Sequence, residues 1–391
     1  MIKARPEVER LKPYMAPLEG RRTLLRLDFN ENTLGPSPKV VEAIRGLSPQ
    51  AYSTYPEYAG LTEAFAASLG VRPEHVGAFN GADAAIKAIF DAYGEAGSTL
   101  LITVPTFGYY EPCAQQYGMV LDEIPYPADL SYPLDAVTAQ LAARPRLFFV
   151  CNPNNPTGTQ LDPSVIVRLA RGAPDTLVVV DEIYASFTGQ SVVPAALALD
   201  NVVALRSLSK TAGLAALRLG FAVGDPSLLD RLARVTGPYD INALAVAAGR
   251  AALADPDYMK DYVAKVLAAK TWTVEALRQR GVRHFAGGGN YLLVWPPGDV
   301  EQTVHALKQR GVLVRSMAGK PVIGGSFRLT VGPQAHMQQF MTAFGDDAGD
   351  ASRVGEPAQV APVGRLIDRQ IGLERQDVGR HHSREPQWLA H

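Results

Sequence analysis

Cysteine is scarce. Two residues in a chain of 391, Cys113 and Cys151, rule out a disulfide framework or a cysteine-rich zinc site. Both are expected to be buried thiols with no chemical role. No apolar run approaches the ~20 residues of a membrane-spanning helix. The opening residues, Met1-Ile2-Lys3-Ala4-Arg5-Pro6-Glu7, lack the apolar stretch of a secretory signal. A cytoplasmic setting is therefore expected, with no membrane partner. Charge of either sign is not in excess: 38 Lys and Arg stand against 39 Asp and Glu. Broad electrostatic capture of nucleic acid is thereby excluded, and a small molecule held by a few placed side chains is the better expectation. No metal site is expected. The His381-His382 pair near the end is read as part of a solvated tail.

What the chain does contain is ordinary for a globular enzyme, with 47% apolar and 20% charged residues. Its length exceeds what one small core accommodates. Residues 1–34 are polar and broken by proline, and read as an arm that packs on a small domain or a partner subunit. Residues 35–250 read as a large domain. Within it, helical patterns (Ser37–Leu47, Leu61–Leu69, Ala84–Tyr93) alternate with short apolar runs at 100–104, 147–150, 177–180 and 202–205. Such runs between helices argue for an α/β fold with a mostly parallel sheet covered on both faces. Residues 251–345 read as a small α+β domain: a long helix at Asp255–Arg280, then strands at 291–295, 312–315 and 327–331 around a helix at Val300–Gln309. Residues 346–391 contain no lysine, many arginines and three of the seven histidines. They are expected to be disordered or loosely attached.

Four polar motifs stand out, and three of them follow directly on strands, where open α/β sheets bind ligands. Ser207-Leu208-Ser209-Lys210, with Arg218 eight residues on, sets an amine among hydroxyls and a guanidinium. That suits an anion, and a lysine can also form a Schiff base with an aldehyde cofactor. Asn152-Pro153-Asn154-Asn155-Pro156-Thr157-Gly158 makes a rigid turn that presents amide side chains. Asp181-Glu182-Ile183-Tyr184 offers a carboxylate able to keep a pyridine nitrogen protonated. Asn80-Gly81-Ala82-Asp83 opens a helix whose N-terminus can cradle phosphate. Each motif alone has an ordinary structural reading as surface lysine, turn or helix cap. Their conjunction in this chain order points to one site.

Over residues 10–344 the sequence resembles the class I/II aminotransferases of fold type I, which depend on pyridoxal 5′-phosphate. The resemblance implies a large domain with a seven-stranded, mostly parallel sheet and a small α+β domain. It implies that Lys210 carries the cofactor and moves the substrate's α-proton, and that Asp181 pairs with the pyridine nitrogen. Tyr184 and Asn155 would hydrogen-bond the ring hydroxyl, and Phe107 would stack on the ring. Ala82, Asp83, Ser207, Ser209 and Arg218 would surround the phosphate, with Gly81 letting the backbone approach. Arg328 would bind the acidic group of the substrate.

Within that family the arm motifs Leu11-Lys12-Pro13-Tyr14 and Leu27-Asp28-Phe29-Asn30-Glu31-Asn32, the Tyr55-Pro56-Glu57 motif, and Arg315 ahead of Arg328 resemble the histidinol-phosphate aminotransferases. Tyr14, Asn30, Tyr55, Arg315 and Arg328 would then bind substrate, since arginine forks match phosphate oxygens. Tyr55 would act across a homodimer interface, and 2-oxoglutarate would be the amino acceptor. Three departures stand out: Phe107 replaces the more frequent tyrosine, Ala82-Asp83 replaces Asp-Glu, and Ala216, before Leu217, replaces a common glycine. Three rival readings share parts of this pattern. They are an aromatic or broad-specificity aminotransferase, a decarboxylase of a phosphorylated amino acid, and a cofactor-binding sensor fused to a DNA-binding module. The last finds no segment for a helix-turn-helix.

Overall fold

The computed structural model describes residues 2–13 and 19–345. Tyr14 and the segment 346–391 lie outside the described residues. The larger sheet is built from β2 (Val76–Asn80), β3 (Thr99–Val104), β4 (Val120–Pro125), β5 (Leu147–Cys151), β6 (Leu177–Asp181), β7 (Val202–Ser207) and β8 (Leu219–Gly224). β1 (Leu25–Leu27) belongs to the smaller sheet. The order across the larger sheet is β2-β8-β7-β6-β5-β3-β4. All neighbours are parallel except β8, which runs against both β2 and β7.

Every residue of β5 and β6 is buried, which explains why these strands read as unbroken apolar runs. Alternate residues serve opposite faces. Phe148, Val150, Val178 and Val180 enter a core with Val40, Leu61, Phe65 and Ile166. Leu147, Phe149, Leu177 and Val179 enter another with Ile86, Ile89, Phe90 and Tyr110. Both cysteines are buried and free.

The smaller sheet holds five strands: β1 with β9 (Arg283–Phe285), β10 (Tyr291–Trp295), β11 (Val312–Ser316) and β12 (Phe327–Thr330), in the order β1-β11-β12-β10-β9. Its core takes Tyr262 and Val266 from the helix Pro256–Gln279, Leu307 from the helix Val300–Gln309, and Phe340 and Phe344 from the helix Gln334–Gly345. The sequence predicts three of these strands. β1 and β9 have only three residues each, too few to show a period. β1 lies within residues 1–34, where the chain packs on the small domain: Leu27 is fully buried, and Leu25–Leu27 pairs in parallel with Val312–Val314. Among the described residues, no helix is long and apolar enough to cross a membrane, and no cluster of His, Cys, Asp or Glu could hold a metal ion.

Candidate active site

The turns that follow β2, β3, β5, β6 and β7 open on one edge of the larger sheet. β8 runs the other way, so it begins at that edge, directly after Arg218. At the left of this edge the helix Ala82–Tyr93 starts two residues earlier than its apolar spacing suggests, with Gly81 before it at φ 85° and ψ 163°. Only glycine adopts that conformation readily. A Cβ on Gly81 would also lie 2.6 Å from Arg218 Nη2. The guanidinium is thus packed against bare backbone at a helix N-terminus, the arrangement that binds anions. Arg218 itself sits at φ 53° and ψ 65°, a left-handed conformation that places its side chain over this turn. It donates to Asp83 Oδ2 at 2.9 Å, in a pair about half exposed to solvent and so free to open for a ligand. Ser207 Oγ accepts from the Ser209 amide at 3.0 Å, which fixes the tight turn leading to Lys210.

The floor of the cleft is Asp181, at the end of β6 and 2% exposed. Burial pushes its carboxyl up to about 6, and a hydrogen bond from Tyr110 opposes that rise. The Tyr110 hydroxyl donates to Asp181 Oδ2 at 2.6 Å, and the Ile183 amide donates to Oδ1 at 3.2 Å. Tyr110 is fully buried and lies edge-on to Phe107, centroids 5.5 Å apart. Phe107, in the turn after β3, is half-buried. Tyr110 did not figure among the predicted site residues. The only sequence signal was its place three residues past Phe107, where the helix Tyr110–Gln116 begins.

Above the floor, Lys210 donates from Nζ to the Phe29 carbonyl at 2.9 Å. Burial, and next the positive charge of Arg328, pull its amine down to about 8. Such an amine sheds its proton near neutral pH, as a nucleophile or base must. Phe29 belongs to the arm segment after β1, which reaches into the cleft. Asn30 Nδ2 donates to the Tyr184 hydroxyl at 2.9 Å, and Thr330 Oγ1 donates to Asn30 Oδ1 at 3.0 Å. Asn32 ties the arm to the Lys210 turn by donating to the Thr211 carbonyl at 2.9 Å. Arg21 locks the same segment with two bonds to Asp28 at 2.6 and 2.9 Å and one to Glu31 at 3.0 Å.

The turn after β5 is stapled by its own amides. Asn152 exchanges two bonds with Leu161, and Asn154 donates to Pro105 O and Thr157 Oγ1. Asn155 faces Arg328, whose Nη1 donates to Asn155 Oδ1, while Nη2 donates to the Asp28 carbonyl at 2.6 Å. Both acceptors are uncharged, and Arg328 Nε is buried with no partner among the described residues. Arg315 stands directly opposite Arg328 in the antiparallel β11–β12 pair, on the same face, 5.8 Å above the Phe29 ring. Each guanidinium therefore meets like charge across the ladder, an arrangement that is unfavourable unless an anion sits between them.

Tyr55 stands apart. It is 69% exposed and stacks on Tyr239 with centroids 3.9 Å apart, outside this chain's own cleft. The structure thus brings together Gly81, Ala82, Asp83, Phe107, Asn155, Asp181, Tyr184, Ser207, Ser209, Lys210 and Arg218, with Asn30, Arg315 and Arg328 at the mouth. Asn290, Thr330, Asp28 and Arg21 join them unforeseen. An amine, a helix N-terminus with a guanidinium, an aromatic face and a buried carboxylate fit a flat, phosphate-bearing aldehyde.

Residues 22–344 match the family model described as Aminotransferase class I and II. This chain belongs to the class I and II aminotransferases. The aminotransferase is 33% identical over 356 residues to the histidinol-phosphate aminotransferase of Anaeromyxobacter sp. (strain Fw109-5), covering 87% of this chain and 97% of the relative. It is 34% identical over 357 residues to that of Symbiobacterium thermophilum, covering 88% and 98%. Among solved structures, histidinol-phosphate aminotransferase from Sinorhizobium meliloti in complex with pyridoxal-5′-phosphate superposes with a TM-score of 0.81 at 24% identity, over 89% of this chain and 98% of that one. That likeness establishes the fold of this aminotransferase.

Proposed function

We propose that this aminotransferase moves the amino group of L-histidinol phosphate to 2-oxoglutarate, with pyridoxal 5′-phosphate as its cofactor, in the cytoplasm and as a homodimer. Gly81, Ala82, Ser207, Ser209 and Arg218 would hold the cofactor's phosphate, with Asp83 orienting Arg218. Asp181 would meet the ring nitrogen, Tyr184 and Asn155 the ring hydroxyl, and Phe107 one ring face. Once bound, the cofactor supplies an aldehyde that takes the amino group and a ring that spreads carbanion charge. Lys210 Nζ stands ready to take and return the proton on the substrate's α-carbon. The arm closes over it: Phe29 and Asn30 limit water around the amine, and desolvation is the main reason that the amine is neutral enough to act.

The observation that carries the substrate assignment is the cross-strand pair Arg315 and Arg328. A single arginine at this place would serve a carboxylate. Two opposed forks, one with a buried Nε lacking a partner among the described residues, suit a dianionic phosphate better. The relatives at 33–34% identity are named for the same substrate.

The test is a half-reaction. Purified protein loaded with the cofactor is mixed with L-histidinol phosphate, phenylalanine or glutamate, with no oxo acid, and the visible spectrum is followed. Histidinol phosphate should convert it at the lowest concentration. Arg315→Gln should raise that concentration by about 30-fold or more, the loss of one charge-assisted fork of about 2 kcal/mol, and leave cofactor binding intact. Conversion by phenylalanine or glutamate alone, with Arg315→Gln silent, would replace the phosphate reading by a broad-specificity one.

A further inference from the structure

Lys270 lies on the helix Pro256–Gln279 and belongs to none of the motifs above. It is 8% exposed. Its ammonium donates to Gly287 O at 2.5 Å and to Gly289 O at 2.9 Å. Burial pulls its amine down, to about 8, and no carboxylate among the described residues lifts it back. A cation buried against neutral carbonyls costs stability by itself. An apolar side chain at the same place would leave both carbonyls unsatisfied.

Those carbonyls belong to the Gly287-Gly288-Gly289 loop between β9 and β10. All three glycines are dictated by close approach. A Cβ on Gly287 would meet Gly158 O at 2.0 Å, and one on Gly288 would meet Pro153 Cγ at 2.5 Å. Gly289 has φ 81°, and its Cβ would strike the Tyr291 ring at 2.5 Å. The loop is therefore pressed, backbone to backbone, on the turn that presents Asn155. The Gly288 amide donates to Gly158 O at 2.6 Å, and the Gly158 amide donates to Asn154 O at 2.6 Å. The Tyr291 hydroxyl reaches that same Asn154 carbonyl at 2.6 Å. On the other side, Asn290 Nδ2 donates at 3.2 Å to the carbonyl of Asn30, the partner of Tyr184. One ammonium thus sits behind a loop that touches the Asn155 turn on one side and, through Asn290, the arm at Asn30 on the other.

We propose that Lys270 is a positioning residue for transamination: its buried ammonium holds the glycine loop in the form that sets Asn155 and the Asn30–Tyr184 pair toward the cofactor's ring oxygen. The proposal rests on the reading of the cleft as a pyridoxal-phosphate site.

The test uses the full chain and two readouts besides activity: the dissociation constant for pyridoxal 5′-phosphate, and the pH midpoint of the visible absorption of the bound cofactor. Lys270→Met keeps the stem and removes the donors. Its dissociation constant should rise about tenfold, one misplaced hydrogen bond. Its midpoint should move to higher pH, because weakened donors hold the ionised ring oxygen less well. Val266→Ala, on the same helix and fully buried, controls for lost stability. It should lower the melting temperature and leave the midpoint in place. A Lys270→Met protein with wild-type affinity and midpoint overturns the proposal, and so does a Val266→Ala protein whose midpoint moves as far. Should Lys270→Met not fold, Lys270→Gln, which retains a donor, should show an intermediate midpoint; a wild-type midpoint there overturns the proposal as well. Failure of the wild-type chain to bind pyridoxal 5′-phosphate would instead overturn the reading of the cleft beneath it.

Discussion

At the scale of single residues, the site works by setting two buried groups against their ordinary tendencies. Lys210 is drawn toward neutrality and Asp181 toward protonation, both chiefly by burial. For Lys210 this serves the chemistry. For Asp181 it opposes it, because the residue is useful as a carboxylate. Tyr110 is what counters the trend, by donating to Oδ2 at 2.6 Å. Tyr110→Phe removes a bond to a charged acceptor worth about 1.5–3 kcal/mol. The Asp181 carboxyl should then move further up from about 6. Since the working form is the ionised one, the acid limb of the kcat profile should shift to higher pH, and kcat at neutral pH should fall by about tenfold with little change in KM. An unchanged acid limb would reduce Tyr110 to a packing residue.

At the scale of elements, what was legible followed from local pattern. β5 and β6 are buried on both faces, so they read as apolar runs, and the motifs that follow them read as turns at strand ends. The helix Val300–Gln309 appears with the predicted limits. β2 and β8 were missed because Gly77 and Gly220 interrupt them; Gly220 is imposed by contact, since a Cβ there would lie 2.3 Å from the Ala82 amide nitrogen. β4 was missed because Asp122 and Glu123 break its apolar run at the sheet edge. In the site, Lys210 and Arg218 could be read from their own motifs. Asn290 and Thr330 could not: their partner Asn30 is 260 and 300 residues away, and no local pattern encodes that contact. The start of the helix Ala82–Tyr93 supplies a test at this scale. Gly81→Ala puts a methyl 2.6 Å from Arg218 Nη2 and strains a backbone at φ 85° by about 1–3 kcal/mol. Retention of pyridoxal 5′-phosphate in dialysis should drop by at least about tenfold, with a melting temperature lower by a few degrees. Full retention would show that the phosphate anchor lies elsewhere.

At the scale of the whole molecule, the cleft of one chain leaves Tyr55 outside it. Its ring is 69% exposed and stacked on Tyr239, itself 60% exposed, and Tyr52 nearby in sequence is 65% exposed. Aromatic side chains bury well and gain little from water, so such a group marks a contact surface rather than a solvated face. If Tyr55 completes the site of a second subunit, two damaged chains can repair each other. In a symmetric dimer of Lys210→Ala with Tyr55→Ala, one site would join the intact Lys210 of one chain to the intact Tyr55 of the other, and the second site would carry both defects. Each variant alone should be nearly inactive. After unfolding and refolding an equal mixture, about half the dimers are mixed and each holds one native site, so activity should recover to about a quarter of wild type. Recovery to that level places Tyr55 across the interface. A mixture no more active than the average of its parts would place Tyr55 in its own chain's chemistry, or in none, and would remove the reason for reading the exposed aromatic stack as part of the active dimer.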